Sequence, residues 1–486
     1  MSASCSIKKA FLLVLIFINS GMQAQISVSK NHQYLQTKDG KPFFWLGDTG
    51  WELFHRLTRE QAEDYIKVRA SQGFNILQAV ALAEFEGIRT PNRYGDFPLT
   101  NDDPTQLNIT PGADPNNDLE YDYWDHVDYI IKTAARYKLY IGLLPTWGDK
   151  VAHLWGDGPI LFNENNAYQY GKLLAKRYEN QWNIIWILGG DRPGKYKSKD
   201  GIEYDDRPIW TAMANGIKSV LGPTTFIAYH PSGGGANATS QYLQQADWLS
   251  MNAFQSGHGS READSWNWTK RDLAYTPLKP VLDMEPCYED HPVNPWDGKW
   301  TRKRGYFKAY DVRARIYRGI FAGQSGVTYG HHQVWQFLDT SLFKSVNIGD
   351  TIIPWRKALE SEAANELIYL KNLMLSRPYF DRVGENSLIK SDLGSTYLDR
   401  VEATGSSDQS YMMVYIPAQT PVTIDLDKIS GSKKNAFYYN VTNGRSKMIK
   451  IKVSTGSYRF DPPKNVADWV LVIDDASKKF GRPGKL

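Results

Sequence analysis

Eight short apolar or β-branched runs, separated by longer stretches of helical period, limit most strongly what this chain can fold into. The runs cover residues 43–51, 75–82, 139–147, 183–191, 226–231, 249–256, 279–286 and 326–335. Helical patterns lie between and after them at 59–71, 122–137, 165–178, 208–220, 306–322 and 360–374. Ile184-Ile185-Trp186-Ile187-Leu188 has no polar alternation, as a strand covered on both faces requires. Eight such strands with crossovers predict a closed parallel (β/α)8 TIM barrel over residues 25–380. The 232–248 crossover has room only for a short helix. No GxGxxG follows the first run, which removes the dinucleotide-binding open sheet.

Past Ser376-Arg377-Pro378-Tyr379 the texture changes to short alternating runs broken by Gly, Ser, Asn and Asp. Runs at 397–401, 411–417, 422–426, 436–441, 448–453 and 469–473 predict a small antiparallel β-sandwich over 386–478. A length of 486 residues suits two folded units, because single cores stop growing near about 250–300 residues.

At the N-terminus, Lys8 and Lys9 precede an apolar run from Ala10 to Ile18 and small or polar residues to Ala24. This is the layout of a secretory signal over 1–24, too short for a spanning helix, and it predicts export to the periplasm or beyond the cell. Its removal would leave Cys287 as the one cysteine, so neither a disulfide nor a thiolate zinc site is expected. The formal charge would fall from +4 to +2 with its two lysines. Without a basic patch, neither nucleic acid nor an anionic membrane is an expected partner, and no obligate protein partner is implied.

In a barrel of this kind, chemistry sits at the C-terminal ends of the strands. The residues found there are Asp48 and Trp51 on the first strand, Glu84 after the second, Trp147 after the third and Asp191 after the fourth. His230 ends the fifth, Asn252 and Gln255 lie on the sixth, Glu285 ends the seventh, and His331, His332 and Trp335 follow the eighth. Asp191 and Glu285 are the candidate catalytic pair, since each carboxyl follows a buried run and strands four and seven end across the mouth from one another. Glycosidic cleavage needs such a pair, one group protonated and one ionised. Asp48, Trp51, Glu84, Trp147, His230, Asn252, Gln255, His332 and Trp335 are candidate substrate-binding residues. Aromatics make up 13% of the chain, with 16 Trp and 29 Tyr, which suits either a sugar cleft or an aromatic-rich core. Alternation sends Asp283 and Glu285 to the same side of their strand. Adjacent His331 and His332 point to opposite faces, so they do not form a metal pair, and no metal or other cofactor is expected. The absence of a G-x-S-x-G elbow argues against a serine esterase.

Several blocks carry a resemblance: Trp45-Leu46-Gly47-Asp48-Thr49-Gly50-Trp51-Glu52, Gly73-Phe74-Asn75, Trp186-Ile187-Leu188-Gly189-Gly190-Asp191, Met284-Glu285-Pro286 and Ser376-Arg377-Pro378-Tyr379-Phe380. Together they resemble glycoside hydrolase family 140, the apiosidases, over nearly the whole chain. The C-terminal part resembles a domain labelled collagen-binding in collagenase-related sequences. Barrel glycosidases usually carry Asn-Glu where this chain has Gly190-Asp191, which narrows the resemblance to that family. The resemblance implies cleavage of an apiose-linked side chain from the pectin rhamnogalacturonan II, with Asp191 as acid/base, Glu285 as nucleophile and retention of configuration. A hydrolase of related layout acting on another plant or bacterial glycan, and a glycan-binding protein without turnover, are the alternatives. For the C-terminal domain, support of the barrel is favoured over binding of polysaccharide or collagen.

Overall fold

The computed structural model describes residues 26–296, 302–342, 353–464 and 466–486. The expected export segment, 1–24, lies outside the described residues.

All eight expected barrel strands form: β1 Trp45–Thr49, β2 Ile76–Val80, β3 Tyr140–Leu144, β4 Ile184–Gly189, β5 Ile227–His230, β6 Asn252–Phe254, β7 Val281–Asp283 and β8 Gly326–Tyr329. They make one parallel sheet in the order β6-β7-β8-β1-β2-β3-β4-β5. The remaining seam, between β5 and β6, is drawn together by the Ser250 amide donating to the Ile227 carbonyl at 2.8 Å and by a parallel bridge between Gly233 and Gln255. The cylinder is therefore nearly closed.

Alternation along each strand divides the side chains. Trp45, Ile76, Val80, Tyr140, Leu144, Ile185, Ile187, Ala228, Ala253 and Leu282 fill the inside of the barrel, while Leu77, Ala79, Ile141, Leu143, Trp186, Leu188, Ile227 and Tyr229 face the helix layer. The apolar runs read as continuous because both sides are dry.

The surrounding helices are α1 Arg59–Ser71, α2 Tyr123–Arg136, α3 Glu164–Arg177, α4 Arg207–Leu221, α5 Ser265–Leu273, α6 Ala309–Ala322 and α7 Glu362–Leu375. Reciprocal capping boxes start three of them, Thr58 with Gln61, Asp122 with Asp125 and Asn163 with Asn166, each pair satisfying amides that the first turn leaves open. Helix α5 was not among the expected helices. The short β5–β6 crossover holds only two 3-10 turns, Gly235–Asn237 and Thr239–Gln241.

The C-terminal unit begins earlier than expected, with β9 at Arg382–Gly384, and continues through β10 Glu402–Ser406, β11 Tyr411–Ile416, β12 Val422–Asp425, β13 Lys434–Tyr439, β14 Ser446–Ile449, β15 Ser457–Phe460 and β16 Trp469–Asp475. Strands in the order β9-β10-β11-β16-β13-β14 make an antiparallel sheet, and β12 pairs with β15 in a second. The strand expected at 397–401 is instead a turn. There the Asp399 carboxylate accepts from the Ser395 and Thr396 amides at 3.1 and 2.7 Å, a local closure that competes with the ladder.

Both faces of the six-stranded sheet are buried. Met412, Val414, Ile416, Leu471 and Ile473 face the smaller sheet, while Tyr411, Met413, Tyr415, Val470 and Val472 pack on α6 and α7 in a core shared with the barrel. Charged anchors rim that core. Arg313 of α6 grips Asp468 through two hydrogen bonds of 2.9 and 3.2 Å, and Arg377 grips Asp474 through two of 2.7 and 3.0 Å.

Breaking a buried pair by deleting one partner strands the other charge, at a cost of about 3–5 kcal/mol. Arg313 would keep Glu366 as a partner if Asp468 were lost, whereas buried Arg377 pairs with Asp474 alone among the described carboxylates, so Asp474→Ala is expected to lower the free energy of unfolding by that order in urea titration. Neither Arg377 nor Asp474 lines the cleft, so folded Asp474→Ala protein should keep its activity; an unchanged denaturation midpoint would show that the two units are not coupled here.

Candidate active site

A cleft of about 860 Å³ opens at the C-terminal rim of the barrel, within the range of small-ligand sites. Its lining includes Asp191, Glu285, Glu84, Trp51, Trp147, Gln255 and Trp335, and also His258, Tyr288, His291, Trp155 and Trp296.

Asp191 follows β4 through an unusual backbone. Gly189, Gly190 and Asp191 have φ of 89°, 107° and 55°, three successive left-handed residues of which only two are glycine. A Cβ on Gly190 would come within 2.7 Å of the Gly148 nitrogen, so the chain can turn here only without one. A non-glycine residue held at positive φ stores strain, and such outliers gather at functional sites. The turn presents the Asp191 carboxyl to the cleft about one quarter exposed. Its Oδ2 accepts from Trp155 Nε1 and from Arg192 Nη1, both at 3.2 Å.

Glu285 lies just past β7, and its backbone carbonyl accepts from the Gly257 amide at 2.9 Å. Two histidines flank its carboxylate. His258 Nε2 is 3.1 Å from Oε1, and His230 Nε2 is 3.2 Å from Oε2, a close charge contact rather than a well-aligned hydrogen bond. Backbone amides orient both rings: Tyr288 N–H donates to His258 Nδ1 and Asp191 N–H donates to His230 Nδ1, each at 3.2 Å. With Nδ1 accepting, the proton of each neutral imidazole belongs on Nε2, facing Glu285. His230 thus touches the Asp191 backbone on one edge and the Glu285 carboxylate on the other. Its ring is boxed by Trp51 and Trp147, with centroids 5.1 and 5.8 Å away.

These surroundings push the two carboxyls apart. Burial works to raise the pKa of Glu285, but the contacts of His230 and His258 with its carboxylate outweigh it and pull the group down to about 2. Asp191 is raised, first by burial and then by the charge of Glu285, against the lowering influence of Arg192, His230 and Trp155. One group is kept ionised and the other is favoured as an acid, the division of labour that two-carboxylate chemistry needs. Glu84 is a third carboxyl in the cleft, raised to about 8 by burial and by the neighbouring charges of Asp149, Asp191 and Glu52, with Arg192 opposing.

The structure brings together Asp191, Glu285, Glu84, Trp51, Trp147, Gln255 and Trp335 as expected cleft residues. Trp147 Nε1, Trp335 Nε1 and Gln255 Oε1 are buried and have no protein hydrogen-bond partner among the described residues. Four expected substrate ligands are corrected. Asp48 alternates outward on β1, where its Oδ2 accepts from Tyr65 and Arg69, both at 2.6 Å; it ties the strand to α1 and is fully buried. Asn252 also faces outward on β6, because its neighbour Ala253 takes the inward position, and its amide donates to Gln244 at 2.7 Å. His332 packs edge-on against His291, with centroids 4.8 Å apart, behind the lining rather than in it. His230 is fully buried beneath the cleft, so it acts on the carboxyl pair rather than on a ligand.

The expectation that Asp283 and Glu285 share a side also fails. The strand ends at Asp283, whose Oδ1 accepts from the Ser256 amide at 3.1 Å, and the chain turns before Glu285 enters the mouth. Sequence reasoning missed His258, Tyr288 and Trp155. His258 and Tyr288 sit in loops without periodicity, whereas Trp155 carried a signal: a large aromatic in the Gly- and Asp-rich stretch Leu154-Trp155-Gly156-Asp157-Gly158.

If the two imidazoles hold Glu285 ionised, His258→Phe should move its titration upward. Carboxyl 13C NMR of Glu-labelled protein, with Glu285→Gln to assign the resonance, reads this directly; a titration identical to wild type would refute the role given to His258.

The family model for the apiosidase-like catalytic domain matches residues 29–381, and one described as "Putative collagen-binding domain of a collagenase" matches residues 383–474. A solved structure described as a glycoside hydrolase is 34% identical, with a TM-score of 0.81 over 94% of this chain and 98% of its own. Another, described as a glycoside hydrolase family 5 from Bacteroides vulgatus ATCC 8482, is also 34% identical, with a TM-score of 0.81 over 94% of this chain and 95% of its own. No curated protein matches the chain. With barrel, cleft and sequence in agreement, this chain belongs to the apiosidase-like family of glycoside hydrolases, with a collagen-binding-type domain behind the barrel.

Proposed function

We propose that the enzyme releases an apiose-containing side chain from the pectin rhamnogalacturonan II by a retaining mechanism, outside the cytoplasm. The observation that carries the mechanism is the opposed environment of the two carboxyls: two imidazoles against the Glu285 carboxylate, burial and a like charge on Asp191. The apiosidase-like match supports the sugar. The layout of Lys8 to Ala24 supports export.

In the first step a Glu285 carboxylate oxygen attacks the anomeric carbon as protonated Asp191 gives its proton to the departing glycosidic oxygen. The bond from the anomeric carbon to that oxygen breaks, and a glycosyl ester forms on Glu285. In the second step Asp191, now a carboxylate, takes a proton from water, whose oxygen attacks the same carbon and frees Glu285. The Trp51, Trp147 and Trp335 rings supply flat apolar faces beside the pair.

Incubation with purified rhamnogalacturonan II should release an oligosaccharide ending in apiose. Release from another glycan alone would assign the enzyme to that glycan instead. Glu285→Gln should abolish turnover, and Asp191→Asn should lower it by about 10²–10⁴; an Asp191→Asn enzyme as fast as wild type would eliminate the assigned pair. The pH profile follows from the shifts. Activity needs Glu285 ionised, so it falls only in strong acid, near the group's pKa of about 2. It also needs Asp191 protonated, so it falls as pH rises through that group's raised value, giving a bell measurable in kcat/KM.

A further inference from the structure

We infer that Trp155 and Arg192 form a clasp that occupies Oδ2 of Asp191 and reserves Oδ1 as the oxygen that carries and delivers the catalytic proton, which makes Trp155 a positioning residue of this enzyme. The inference rests on the acid/base reading of Asp191. Both donors that reach the Asp191 side chain from this region end on one atom: Trp155 Nε1 and Arg192 Nη1 each lie 3.2 Å from Oδ2. A carboxyl oxygen that accepts two N–H bonds is a poor site for a proton, because protonation there sets O–H against N–H. The proton is thereby directed to the other oxygen.

The clasp is a built feature. Arg192 is fully buried, its Nη1 also donates to the Asp191 carbonyl at 2.8 Å, its Nη2 donates to the Trp155 carbonyl, and its guanidinium lies 4.3 Å from the centre of the Trp155 ring. The ring is thus held from its backbone and from one face by the same arginine that touches Asp191. Gly156 allows the approach: its φ is 119°, and a Cβ there would meet Asp149 Cβ at 2.4 Å and Arg192 Nη2 at 2.9 Å. The indole is held on a loop yet is 47% exposed and lines the cleft, so its position is not explained by core packing.

Other charged or titratable groups also act on Asp191. Arg192 lies in the clasp, His230 meets the backbone from β5, and Glu285 and Glu84 act from β7 and from beyond β2. Of the groups that hold Asp191 toward its ionised form, Trp155 is the one that can lose its donor without a change of formal charge. Replacement by phenylalanine keeps an aromatic ring and deletes the N–H.

Two measurements on the full chain test the clasp. In Asp-labelled protein, with Asp191→Asn assigning the carboxyl resonance by 13C NMR, Trp155→Phe should move the Asp191 titration to higher pH, because the deleted bond favours the carboxylate. In kinetics, Trp155→Phe should slow hydrolysis of an alkyl apioside, whose leaving group needs the proton, by about tenfold, and that of a 4-nitrophenyl apioside far less. A merely structural indole would lower both substrates equally and leave the titration in place, and that result overturns the inference. Asp191→Asn separates the two readings: if it fails to steepen the leaving-group dependence, the acid/base assignment falls. If it steepens the dependence while Trp155→Phe does not, only the clasp falls. Should neither apioside be hydrolysed by the wild type, the apiose reading fails and the titration alone decides the clasp.

Discussion

Closure of eight parallel strands into a cylinder decides which side chains can meet. Each strand offers alternate residues to a dry interior and a dry helix layer, so a polar group on either side must find a partner in the protein. Asp48 does so with Arg69 and Tyr65, and Asn252 with Gln244. Only past the strand ends, where the ladder stops, can a polar group stay open to a ligand. Asp191 and Glu285 both leave their strands at that rim, and His230 at the end of β5 reaches both.

The site is built from buried polarity that would be costly elsewhere. Glu285 lies in a largely dry setting yet stays ionised because two imidazoles point protons at it, each ring held by a backbone amide. Asp191 lacks an equivalent pair of imidazoles and borders a like charge, so its proton is held more tightly. Placing it there requires three successive left-handed residues, a local strain that the packing of Gly190 on Trp147 and Gly148 sustains. Rigidity around the pair therefore belongs to the chemistry as much as to stability.

The C-terminal unit packs on the barrel through α6 and α7. Its larger sheet has no free face, since one side meets the small sheet and the other shares a core with α6 and α7. Arg382 at the start of β9 donates to the carbonyls of Ile320 and Gln324, and Tyr317 stacks on Tyr415 with centroids 4.9 Å apart.

The sequence by itself determined the barrel, the sandwich and the two carboxyls, because a buried run that ends in an acid is a local pattern and strand order follows chain order. Trp51, Trp147 and Trp335 were legible for the same reason. Only the tertiary structure decided the rest. Whether a strand residue faces in or out depends on its register with neighbours 29 or more residues away, which is why Asp48 and Asn252 were misassigned. His258 and Trp155 come from loops whose course is set by distant contacts, such as the guanidinium of Arg192 against the indole. The proton affinities of Asp191 and Glu285 arise from burial and from charges brought together by folding, quantities that a linear sequence of residues does not carry.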